Sequence, residues 1–112
     1  MISGENIKVG FSEENGGRAV VNLIGKGQVT VFPKGLVHYQ QNLGCEPATY
    51  ISALNSEDPG VLTISTRGFD LPNEVLATTY GITKEEVIKI RSKLLDSPVR
   101  DEECLKSCNI GK

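Results

Sequence analysis

The residues of this chain that could act together in chemistry lie in one short segment. Residues 27–42 fit the pattern G-x5-P-x-G-x2-H-x3-N. Gly27 permits a tight turn into a strand, and Pro33 and Gly35 predict a turn between two strands. His38 would lie on the strand after that turn, where its imidazole points to one fixed side of a sheet or barrel. A histidine held rigidly in this way is a candidate metal ligand.

His38 is the single histidine of the sequence, so no second imidazole of this chain can join it. A lone histidine on a strand is ordinarily a hydrogen-bonded core or surface residue, and a ligand position is the less common alternative. Leu36, Gln40 and Asn42 share its face of the strand. Gln40 would line a cavity or be solvated, and Asn42 is predicted to satisfy backbone groups at a turn or strand end. No residue is predicted to be catalytic or to bind an organic cofactor.

Length and charge exclude several classes of protein. A chain of 112 residues is long enough for one domain and too short for two. Its charged residues are interspersed and the net charge is −2, so we expect no nucleic-acid binding. The apolar stretches are only a few residues long, so we expect no membrane span. Residues 1–6 have neither the charged nor the apolar region of a signal peptide.

Three cysteines leave at least one thiol without a partner inside the chain. Cys104 and Cys108 are four residues apart, which places them on one face of a helix. A bridge from Cys45 to either of them would tie the C-terminal tail to the body. Structural thiols or a disulfide are favoured over a zinc site, because C-x3-C without a second ligand pair is a weak metal signal.

The first part of the chain is predicted to be β-structure. Six short segments alternate with turn residues at regular intervals, which is typical of a sandwich or barrel. The predicted strands are 7–11, 18–24, 28–32, 36–42, 48–54 and 61–64.

The second part is predicted to be helical. Pro72 begins one helix and Gly81 ends it, while Thr83 and Glu86 form a capping box for a helix that runs to residue 95. A short helix is expected around Cys104. The carboxylates of these helices are expected to be solvated and to have no acid–base role: Glu85, Glu86, Glu102 and Glu103. We divide the chain into a barrel part at 1–66, a helical extension at 67–96 and a cysteine-containing tail at 97–112.

The segment 27–42 resembles the second conserved motif of the cupins, and in particular of germin-like and spherulin-like proteins. The resemblance extends to N-S-x-x-P-G at 55–60, to the helix that begins near Pro72, and to a second helix at 82–93. It implies an all-β cupin fold, a double-stranded β-helix or jelly-roll barrel, which would be incomplete here and followed by two or three C-terminal helices. The tail beyond residue 93 departs from the plant germin pattern.

The resemblance also implies a metal site of which this chain holds one part. Family members bind manganese through two histidines and a glutamate of a first motif, together with the histidine that matches His38. Gly4 resembles the last glycine of that first motif, so the chain is expected to begin after the other three ligands. We therefore expect no metal retention and no enzyme activity from this chain alone. A complete family member could be a manganese-dependent oxidase or superoxide dismutase.

Three interpretations of function remain open. The chain is a fragment of a secreted, manganese-binding germin-like protein, a non-enzymatic storage or structural cupin like the spherulins, or a module whose open sheet pairs with another chain. The resemblance implies an extracellular location and homo-oligomers, commonly trimers or hexamers, built through the C-terminal helices.

Overall fold

A computed structural model of the chain describes residues 1–110 and separates into two compact units. The first unit comprises Met1–Leu54 together with the C-terminal segment from Asp101. The second comprises Asn55–Arg100. Each has its own small set of buried side chains, so each is described by itself.

The first unit is built on a three-stranded antiparallel sheet. Its strands are β1 (Ile7–Ser12), β2 (Ala19–Ile24) and β3 (His38–Asn42), and β1 lies between the other two. The β1–β2 connection is the hairpin that the Glu14-Asn15-Gly16-Gly17 run predicts, with a Gly17 N–H donating to the Glu14 carbonyl over 2.8 Å.

The buried side chains of this unit come from the central strand. Ile7 and Val9 are buried and alternate along β1, so they share one face with Phe11. The register places Phe11 opposite Val20 on one side and opposite His38 on the other. The face that holds the core of the sheet is therefore also the face that carries the candidate ligand.

Three predicted strands are wrong. Residues 28–32 pair with no strand of the described chain, and Val29 and Val31 are 82% and 74% exposed. In the segment 48–54 only Thr49 is paired, in an isolated bridge with Ser3. Val61 to Thr63 is not a strand, and Ile64 begins a helix. A strand is stable only when a neighbour accepts its hydrogen bonds and a core covers one face. Apart from the single bridge at Thr49, these apolar runs have no such neighbour among residues 1–110. Within residues 1–110 the sheet is open and does not close into a barrel.

The second unit is helical, as predicted for most of its length. Helix α1 (Ile64–Arg67) leads into a 3-10 turn, and α2 (Asn73–Tyr80) and α3 (Lys84–Arg91) follow. Both halves of the capping box at Thr83 are formed. Helix α3 ends at Arg91, four residues before the predicted end.

The packing of α2 on α3 makes the core of the second unit. Leu76 of α2 and Val87 of α3 are its buried residues, at 2% and 0% exposure. The Arg91 guanidinium adds polar contacts at the end of α3, because its Nε donates to the Phe69 carbonyl over 2.8 Å and its Nη2 to the Leu71 carbonyl over 3.1 Å. These bonds hold the 3-10 turn Gly68–Asp70 against α3.

The predicted helix around Cys104 is α4 (Glu102–Ser107), which belongs to the first unit. Asp101 caps it by accepting a hydrogen bond from the Cys104 N–H over 3.0 Å, and the Gln41 side chain donates to the same carboxylate over 2.8 Å. A disulfide joins Cys45 to Cys108, and the Cys104 thiol is free. Of the pairings that the sequence left open, the structure has the one between Cys45 and Cys108, which ties the tail to the body.

We predict that Val87→Ala lowers the free energy of unfolding of the helical unit by about 2 kcal/mol, because the truncation leaves a cavity beside Leu76. Val75→Ala is the matched control, since it removes the same two methyl groups from a side chain that is 45% exposed and should change stability by less than about 0.5 kcal/mol. Urea titration followed by far-UV circular dichroism measures both. Equal losses in the two variants would contradict the packing described here.

We predict that the cap of α4 weakens in acid. The backbone N–H of Cys104, and secondly the Gln41 amide, lower the pKa of Asp101 below its ordinary value. A lowered folded-state pKa means that the stabilisation is present at neutral pH and is lost as the pH falls through that lowered value. Amide hydrogen exchange at Cys104 should therefore accelerate, relative to its intrinsic rate, in the acid range. Asp101→Asn keeps a capping side chain that does not titrate, and it should abolish this pH dependence.

Candidate functional site

A tight turn places His38 at the first position of β3. The Leu36 N–H donates to the Pro33 carbonyl over 3.3 Å, and Gly35 between them has a φ of 81°. That φ is open to glycine and costly for other residues, and a type II turn requires it at this position. Nothing lies within 4 Å of the place where a Gly35 Cβ would be, so backbone conformation is the reason for glycine here. The predicted turn is confirmed.

One ring nitrogen of His38 is held by the backbone of the same turn. Its Nδ1 lies 3.0 Å from the Leu36 carbonyl oxygen. A carbonyl oxygen can only accept, so this hydrogen bond requires a proton on Nδ1, which in the neutral ring leaves the lone pair on Nε2. Metal-binding histidines commonly donate their second ring N–H to a backbone carbonyl in this way, which fixes the ring and its tautomer.

An aromatic stack is the second contact that orients the His38 ring. The Phe32 ring stacks on it with centroids 4.5 Å apart and planes inclined by 23°. Phe32 precedes the turn and His38 follows it, so the stack closes the turn across Pro33. The residue as a whole is exposed. His38 is therefore oriented by two contacts, and its Nε2 makes no hydrogen bond to the residues that the structure describes.

The other polar residues on this face of β3 have different roles. The Asn42 side chain donates to the Glu46 carbonyl and accepts from the Gly44 N–H, each over 2.9 Å. This confirms Asn42 as a turn residue. Gln40 is exposed, and its side chain makes no hydrogen bond among residues 1–110.

The residues that the structure describes do not complete a metal centre. No group of three His, Cys, Asp or Glu side chains within residues 1–110 is arranged to hold an ion. Manganese prefers several oxygen and imidazole ligands, and His38 offers one. Two shallow depressions, of about 350 and 520 Å³, lie near Glu5 and Glu13, and His38 lines neither. Within residues 1–110, no second ligand group is therefore arranged beside His38.

The helical carboxylates lie where solvated groups were expected. The Glu86 side chain accepts from the Thr83 N–H over 2.8 Å as half of the capping box. Glu85, Glu102 and Glu103 are exposed. None of the helices in the described part of the chain has the length and apolar character needed to cross a membrane.

Two contacts of His38 were not predicted from the sequence. The Leu36 carbonyl belongs to the main chain, so no residue type signals its role. Phe32 falls at a variable position of the motif, and an aromatic residue six positions before a histidine indicates contact only when the turn between them is known.

Comparison with known proteins identifies one family model that matches most of the chain. Residues 2–88 match the family model described as Cupin. Spherulin-1B of Physarum polycephalum is 34% identical over 105 residues, covering 92% of this chain and 42% of its own length. Spherulin-1A of the same organism is 33% identical over 112 residues, covering 98% and 46%. Germin-like protein 4-1 of Oryza sativa subsp. japonica is 41% identical over 93 residues, covering 76% and 37%.

The chain thus spans less than half the length of these relatives. No solved structure matches it. The similarity to spherulins and germin-like proteins agrees with the resemblance carried by residues 27–42.

We predict that neutral His38 exists as the Nδ1–H tautomer. The Leu36 carbonyl stabilises that proton position, whereas free imidazole side chains favour Nε2–H. Long-range 15N–1H correlation spectra above the imidazole titration report the tautomer directly, and the single histidine makes the assignment unambiguous. A dominant Nε2–H form would contradict the hydrogen bond to Leu36.

Proposed function

The chain belongs to the cupin family, and we propose that it is the part of a germin-like or spherulin-like protein that carries the second metal-binding motif. The observation that carries this proposal is the state of His38. Its Nδ1 is bound to the backbone, its ring is stacked on Phe32, and its Nε2 makes no hydrogen bond within residues 1–110. This is the arrangement of a ligand prepared for a metal whose other ligands lie elsewhere.

Manganese is the metal that the family resemblance suggests. In a complete site this ion would act as a redox or Lewis-acid centre. His38 would supply one nitrogen, and the remaining imidazoles must come from outside this sequence because it contains no other histidine. For the chain by itself we propose a ligand position and no catalytic step.

The two open edges of the sheet support its completion by further strands. Strands β2 and β3 are both edges of the sheet, each with one partner. Unpaired strand edges favour pairing with another segment or chain. We propose that such pairing closes the cupin barrel around the face that carries His38, in a homotrimer or hexamer located outside the cell. The extracellular location and the oligomeric state rest on the family resemblance.

A second candidate function is a non-enzymatic structural or storage cupin. The alignment with Spherulin-1A covers 98% of the chain, whereas that with germin-like protein 4-1 covers 76%. The spherulin alignment therefore takes in nearly all of the chain, including the tail that carries the Cys45–Cys108 disulfide. This favours a spherulin-like scaffold, in which the barrel matters and the metal does not.

We predict that manganese bound to the purified chain is far below one ion per chain and that its contact is His38. Because one imidazole binds weakly, the measurement combines elemental analysis with Mn²⁺ titration followed by NMR. The paramagnetic ion should broaden the His38 ring signals at lower concentration than any other side-chain signals, and Mg²⁺ should not.

His38→Ala and Gln40→Ala form the matched pair for this test, since both side chains lie on one face of β3. His38→Ala should abolish the broadening of neighbouring signals such as those of the Phe32 ring, which stacks on His38. Gln40→Ala should leave that broadening unchanged. A stoichiometric ion that is lost in His38→Ala would contradict the low occupancy predicted for the chain and would keep His38 as a ligand. Manganese that is indifferent to His38→Ala would overturn the role of His38.

A further inference from the structure

Helix α4 carries Cys104, and Cys108 follows its last residue as the C-cap, one helical turn further along the chain. The Cys108 N–H donates to the Cys104 carbonyl over 3.1 Å, which is the i to i+4 bond of a helical turn. Side chains at this spacing are neighbours on the helix surface. One of the two cysteines is in a disulfide and the other is a thiol.

Both cysteines face the same turn of the sheet unit. The Asn42 side chain folds this turn by bonding the Gly44 N–H and the Glu46 carbonyl, and Cys45 lies between them. Cys108 is joined to Cys45 with their Cα atoms 5.2 Å apart. The Cys104 Sγ lies 3.7 Å from the Asn42 carbonyl oxygen, three residues before Cys45. The thiol therefore lies over the turn that already holds the disulfide.

We propose that Cys104 is an intramolecular exchange partner of the Cys45–Cys108 disulfide, so that α4 can be tethered to the turn through either of its cysteines. The Cys104 thiol gives its proton to solvent, and its thiolate attacks the Sγ of Cys45. The Cys45–Cys104 bond forms as the Cys45–Cys108 bond breaks, and Cys108 leaves as a thiolate that takes up a proton. The exchange is neutral in electrons and needs no oxidant.

Geometry selects Cys45 as the sulfur that is attacked. Attack on Cys108 would make a Cys104–Cys108 bridge within one helix. Its Cβ atoms would have to approach to about 3.5–4.5 Å, whereas i and i+4 positions hold them about 5–6 Å apart. That product would distort α4, while the Cys45–Cys104 product keeps the helix and its tie to the sheet unit.

Exposure permits the exchange. Cys45 is exposed, and Cys104 and Cys108 are half-buried. The Asp101 cap and the Gln41 bond to it hold the first turn of α4 beside β3 whichever sulfur is linked. The oxidised chain thus keeps one thiol on α4 at all times, at position 104 or at position 108, without releasing the tail.

Trypsin offers a direct readout, because Lys106 lies between the two helix cysteines. Cleavage gives the peptides 101–106, with Cys104, and 107–112, with Cys108, while Cys45 stays in 35–67. The oxidised full chain is incubated without added thiol at mildly alkaline pH, quenched with acid and alkylated with N-ethylmaleimide. Digestion and mass spectrometry then identify the linked pairs.

The expected result for the wild type is a mixture of 35–67 linked to 107–112 and 35–67 linked to 101–106, reached at a rate independent of protein concentration. Cys108→Ser should lose the first pair and gain the second, and Cys104→Ser should keep the first pair alone. Overturning results are a wild type that retains only the 107–112 link, or an exchange rate proportional to protein concentration. The wild-type arm decides the question even where Cys108→Ser fails to fold.

Discussion

The pairing of β1 with both of its neighbours is the interaction on which the rest of the sheet unit depends. β1 is the single strand of the described sheet with two partners, and the buried residues Ile7 and Val9 are on it. β2 and β3 have no large buried side chain of their own and are held by hydrogen bonds to β1. The same register sets His38 opposite Phe11 and brings Asn42 beside the turn that carries Cys45. The candidate ligand and the disulfide are thus both positioned by one central strand.

The features that could be predicted from the sequence are those whose hydrogen bonds close within a few residues of the chain. The capping box at Thr83, the helix end at Gly81 and the turn at Pro33 each close over three to five residues, so local chemistry determines them. Residues 28–32 look locally like a strand as well, but a strand needs a distant partner, and none of the described residues supplies one. The choice of Cys108 over Cys104 was open for a related reason, because both lie on one helix face and the sequence does not fix their distance from Cys45.

The candidate site likewise combines a feature that the local sequence determines with one that depends on the folded chain. The position of His38 on β3 follows from the spacing of Pro33 and Gly35, and it was predicted. The ring orientation depends on the Leu36 carbonyl and on the Phe32 stack, which exist only once the path of the chain through the turn is set. A motif therefore identifies which side chain is presented, and the folded turn determines which of its atoms is available.

The motif contains residues that the fold requires and one residue, His38, whose role bears on function. Gly35 is required by its φ, Pro33 accepts the hydrogen bond of the turn, and Asn42 folds the turn around Cys45. These residues are explained by the fold of this chain whether or not a metal ever binds. His38 is different, because its Nε2 has no hydrogen-bond partner within residues 1–110 and the backbone bond of its Nδ1 keeps that atom a lone-pair donor. The proposed ligand role of His38 rests on this atom, because the fold orients it without using it.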